Sequence, residues 1–71
     1  MDLESELVRW MDENEVEMFQ LLKDEEGRFR ALHPGLDSAE VRLNATAMAN
    51  RRFIARALGE VLPAYLASRE Q

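Results

Sequence analysis

Leu32-His33-Pro34-Gly35-Leu36-Asp37-Ser38-Ala39-Glu40-Val41 is the stretch around which the chain is organised. Pro34 and Gly35 suit the two central positions of a type II turn, proline for its fixed φ and glycine for the positive φ that follows. A helix arriving at Leu32 must stop here. Asp37 then reads as a helix N-cap, with Glu40 three residues on completing a capping box and Leu36 placed to pack on Val41 as a hydrophobic staple. These start signals agree on one residue, so the sequence predicts two helices joined by a tight turn at 33–36.

Upstream of the turn, Leu3, Leu7, Met11, Met18, Leu21, Leu22, Phe29 and Leu32 recur at the steps of three, four or seven that one helix face requires. One continuous helix over about 3–32 is expected. Two positions weaken it. Asn14 lies on the apolar stripe and also opens a second capping-box pattern, Asn14-Glu15-Val16-Glu17, so the helix either continues through it or breaks there. Gly27 costs about 1 kcal/mol relative to alanine in a helix interior. If Asn14 stays within a continuous helix, it becomes a polar residue on the seam, of the kind that sets register in helical assemblies.

Downstream, Val41, Ala45, Met48, Ala55, Leu58, Leu62, Tyr65 and Leu66 form a second stripe, flanked by Ala47, Ile54 and Val61. The many alanines allow close helix approach. This second helix is expected over about 38–62. Pro63 should kink or end it, because its ring meets the carbonyl four residues back, leaving 63–71 as a bent or frayed tail.

The expected fold is therefore all-α: one domain over 1–71, an antiparallel helical hairpin of two long helices, or three if the first breaks near Asn14. A chain of 71 residues buries only about 60% of its unfolded surface. It has no cysteine and so no disulfide or thiolate metal cluster. Self-association is the remaining staple, and a homodimer forming a four-helix bundle is expected. The acidic first twenty residues do not read as a signal peptide, and the longest apolar run is too short to cross a bilayer, which gives a soluble, cytoplasmic protein with no membrane partner.

Charge is divided along the chain. Residues 1–26 carry ten acids against Arg9 and Lys23, a net of −8, and residues 27–71 carry seven arginines against four acids, a net of +3. Folding the chain back on its turn sets residue x opposite roughly 70 minus x, so Arg51, Arg52 and Arg56 fall alongside Glu13, Glu15 and Glu17.

Candidate sites follow from these patterns. His33 sits before a proline with no partner residues that would make it catalytic or a metal ligand, and it reads as an exposed turn residue. The acids lack an EF-hand loop or ExxH motif, and no phosphate loop, nucleophile elbow or triad occurs. No cofactor, no small-molecule substrate and no enzymatic activity is expected. Trp10, Val16 and Phe19 lie off the main stripe and, with Glu13 and Glu17, form the expected protein-binding set. Arg51, Arg52 and Arg56 could face nucleic acid or an acidic partner, but the acids of the first helix neutralise them, and a net charge of −5 repels a polyanion.

Gly35-Leu36-Asp37-Ser38-Ala39-Glu40-Val41 resembles the turn and second-helix start of the small helical-hairpin aspartyl-phosphate phosphatases of sporulating bacteria. That family's Ser-Gln-Glu-Leu-Asp signature should follow, and here the chain reads Asn44-Ala45-Thr46-Ala47-Met48-Ala49-Asn50. The resemblance therefore implies the helical arrangement and not the chemistry. The function expected from the residues is a protein-binding module, an adaptor, inhibitor or regulator of phage or bacterial type that occludes the surface of a larger partner. A nucleic-acid regulator and a structural subunit of a larger assembly are the alternatives.

Overall fold

The computed structural model describes residues 2–70. All regular structure in them is helical: α1 spans Leu3–Glu13, α2 spans Glu15–Leu32 and α3 spans Ser38–Arg69. They form a thin rod of 54 × 17 × 15 Å in which both α1 and α2 pack on α3.

Asp37 caps α3 through its side chain, which accepts from the Glu40 amide at 2.8 Å. The turn before it is closed by the Leu36 amide donating to the His33 carbonyl at 3.1 Å. No glycine has a positive φ among the described residues, so the expected type II turn is not formed. Pro34 and a negative φ at Gly35 are the combination of a type I turn, which needs no special backbone freedom. Asp2 caps α1 in the same way as Asp37 caps α3. The Ser5 amide, and after it the Ser5 hydroxyl, holds the Asp2 carboxyl below its ordinary value of 3.8.

The expected single helix over 3–32 is divided at Asn14, whose φ of −113° and ψ of 26° leave the helical region. The residue serves both ends. Its amide donates to the Trp10 and Met11 carbonyls, its side chain donates to the Trp10 carbonyl at 2.7 Å, and its own carbonyl accepts from the Glu17 amide. The side chain therefore closes α1, and the capping box expected with Glu17 is absent.

The core explains the break. Its α3 residues are Val41, Ala45, Ala49, Phe53, Ala57 and Val61, a strict step of four. Each step of four advances about 40° around a helix that repeats every 3.6 residues, so the buried line winds through about 200° from Val41 to Val61. One straight neighbour cannot follow such a line. With the break at Asn14, α2 covers the first part, where Leu21 clusters with Ala49 and Phe53, and α1 takes over from Phe53 onward. Trp10 marks the handover, its ring 5.4 Å from that of Phe53 at an interplanar angle of 43°. The expected second stripe is corrected accordingly. Val41, Ala45 and Val61 are buried, whereas Ala55 and Leu58 are exposed, and Ala49, Phe53 and Ala57 take their place.

Residues 64–69, expected as tail, continue α3 through Pro63, while Gln71 lies outside the described residues. The carbonyl bond lost at Pro63 is offset by packing on both sides of it. Val61 is buried, Tyr65 is half-buried, and the Arg69 guanidinium lies over the Tyr65 ring, 5.8 Å from its centre.

Candidate protein-binding surfaces

The two flanks of the rod differ in chemistry, and position relative to the core tells them apart. When two helices run in opposite directions, residues one place after a core position fall on one flank of both, and residues one place before it fall on the other. Ion pairs give the test. Glu26, after Glu25, meets Arg42, after Val41, at 3.5 Å. Glu17, before Met18, meets Arg56, before Ala57, at 2.5 Å.

On the flank of residues that follow core positions, Val8, Phe19, Ile54, Leu58 and Leu66 are all exposed, Phe19 at 55% and Ile54 at 49%. Ile54, Leu58, Leu62 and Leu66 run at a step of four beside the buried line. Ile54, Leu58 and Leu66 are exposed and Leu62 half-buried, and large side chains open in a row at this spacing are unlike the scattered single hydrophobics of an ordinary surface. Val16, 70% exposed, points away from both α3 and this row.

The opposite flank is polar and internally paired. Arg52 donates to Glu25 Oε1 at 2.8 Å, and Arg28 stands 3.8 Å from the same oxygen. Glu25 is 1% exposed, and its Oε2 is buried without a hydrogen-bond partner. Towards the free end of α3 this flank opens into a groove of about 790 Å³ between α1 and α3. Trp10, Val61 and Tyr65 supply its apolar lining, and Glu6, Glu13 and Glu60 stand along it.

The residues expected to bind protein are thus distributed over the molecule. Phe19 lies on the apolar flank, Trp10 sits in the groove against the core, Val16 is on the back of α2, Glu17 is bound to Arg56, and Glu13 is exposed at the groove. Of the arginines, Arg52 and Arg56 are neutralised across the helix interface, and Arg51 leans on the Met48 sulfur at 3.8 Å. Folding about the turn does bring Leu21 to Ala49, but helix rotation turns Glu15 outward, and the reach of Arg52 takes it to Glu25.

Sequence reasoning missed Glu25 and Glu60, and placed Tyr65 on the second stripe without seeing that it lines a groove. Nothing in the local sequence around Glu25 announces that a glutamate will be buried. Among the described residues no group of three or more His, Asp and Glu side chains converges to hold a metal ion, and no helix is long and apolar enough to cross a membrane. No known protein family, curated protein or solved structure matches the chain.

Proposed function

We propose that the chain is a protein-binding module that dimerises along its apolar flank, so that two antiparallel helical hairpins form a four-helix bundle whose polar surfaces occlude a larger partner. The observation that carries this reading is the row Ile54, Leu58, Leu62 and Leu66 with Phe19 and Val8 beside it, in a chain whose described residues bury only seven apolar side chains, three of them alanine. So small a core supplies little stability alone, and covering the row adds the apolar burial that a single chain lacks. The pairing of Arg52 and Arg56 with Glu25 and Glu17 weighs against the alternative of a nucleic-acid regulator, because charges already neutralised release few counterions on binding a polyanion.

Light scattering after size-exclusion chromatography, on tag-free protein at low and high salt, tests the reading. A dimer is expected at both salt concentrations, and the Phe19→Glu, Ile54→Glu double variant is expected to be monomeric with its helical circular dichroism retained. A wild-type monomer at all protein concentrations overturns dimerisation.

A further inference from the structure

The groove between α1 and the end of α3 coincides with an uneven charge distribution. Residues 2–13 hold Asp2, Glu4, Glu6, Asp12 and Glu13 against Arg9, and residues 60–70 hold Glu60 and Glu70 against Arg69, a combined −5. Residues 14–59 hold seven acids and seven bases, so the whole net charge of −5 resides at the groove end of the rod. There Glu6, Glu13 and Glu60, with Arg9 and Arg69 among them, flank an apolar lining of Trp10, Val61, Ala64 and Tyr65. Glu6 is engaged by Arg9, which leaves Glu13 and Glu60, both exposed, on opposite sides of the opening.

We propose that this groove is a docking site for a basic amphipathic helix of a partner protein, its apolar face on Trp10, Val61 and Tyr65 and its lysines or arginines on Glu13 and Glu60. Charge complementarity selects the occupant. A second copy of the chain carries the same net charge of −5 and a polyanion is more negative still, so neither matches the acidic groove as a basic helix does. Arg69, held over the Tyr65 ring, takes that face for itself, so the partner's cations meet Glu13 and Glu60 rather than the ring. Helix-in-groove recognition needs an apolar trough with charged margins, and this groove offers both on the flank opposite the proposed dimer row. The proposal deepens the protein-binding reading and rests on it, but it does not depend on dimerisation.

Trp10 is the sole tryptophan, so its emission reports on the groove directly. The probe is a leucine and lysine peptide of about 18 residues, five helical turns, with leucine on one face and no aromatic residue. The controls are the same residues shuffled to remove the apolar face, and a leucine and glutamate counterpart. Saturable binding with a blue shift of Trp10 emission is expected for the amphipathic basic peptide alone, weakened about tenfold by Glu13→Gln with Glu60→Gln and abolished by Ala64→Arg, which fills the groove wall with a bulky cation. Equal binding of the shuffled peptide, unchanged affinity in the double glutamine variant, or no response from Trp10 each overturns the proposal. The Phe19→Glu, Ile54→Glu variant separates the two readings. Peptide binding retained in that monomer supports the groove whatever becomes of the dimer, and peptide binding lost from an intact wild-type dimer removes the groove alone.

Discussion

A buried carboxylate is unfavourable unless its charge and both its oxygens find partners, and Glu25 meets that condition for one oxygen only. Arg52 is the close partner, and Arg28 is too distant to replace it. Arg52→Ala is therefore expected to cost about 2 kcal/mol, the penalty of a charged group left without its hydrogen bond, whereas Glu25→Met, which removes the unpartnered atom at similar volume, is expected to be neutral or stabilising by about 1 kcal/mol. Urea denaturation followed by circular dichroism measures both. Equal losses from the two variants would mean that the ion pair itself contributes net stability. Sequence legibility at this scale depends on how local the chemistry is. Asp37 could be read as a cap because its acceptor and the Glu40 amide are three residues apart. Asn14 presented the same pattern, but an amide side chain both donates and accepts, and local sequence does not decide which helix end it serves. Glu25 was illegible as core because its burial depends on an arginine 27 positions away.

Each helix also carries a weakness that its packing has to offset. Gly27 lies in the exposed interior of α2 with a negative φ and nothing within 4 Å of where a Cβ would stand. Gly27→Ala is expected to stabilise by about 1 kcal/mol through helix propensity alone, which for a chain of this size raises Tm by about 4–8 °C. A thermal melt followed by circular dichroism checks it, and a fall in Tm would mean that the glycine is needed for a bend in α2. The existence of the helices, the turn between them and the end of α2 were legible because periodicity and caps act within a few residues. The course of the buried line was not. Its members include Ala45, Ala49 and Ala57, whose small side chains give little hydrophobic signal, while Leu58 and Leu62 one row over give a stronger one and belong to the open flank. The same ambiguity concealed the need for a break at Asn14, which follows from the winding of a line on another helix.

Over the whole molecule, the charge at one end constrains how two copies can associate. In a parallel dimer the two −5 ends would lie side by side, within a Debye length of about 8 Å at physiological salt, and would repel. In an antiparallel dimer each acidic end lies instead beside the partner's turn end, where Lys23, Arg28, Arg30 and Arg42 nearly balance Asp24, Glu25, Glu26, Asp37 and Glu40, so the repulsion is far weaker. The apolar row accommodates either orientation, since Phe19, Ile54 and Leu58 lie towards the middle of the rod and Val8, Leu62 and Leu66 at the acidic end. Electrostatics therefore selects the antiparallel arrangement, and it also leaves the two grooves at opposite ends of the bundle, each free to take its own peptide. The chain has no cysteine, so Ala67→Cys at the acidic end and Ala39→Cys at the turn end, both at exposed positions, give unique sites for spin labels. Dipolar spectroscopy on the Ala67→Cys dimer is expected to give a long separation, comparable with the 54 Å length of the rod. A mixed dimer of the two variants is expected to give a short one. The reverse pattern would show that apolar packing outweighs end-to-end repulsion, and dimerisation would then strengthen as salt is added, where the antiparallel form predicts little change.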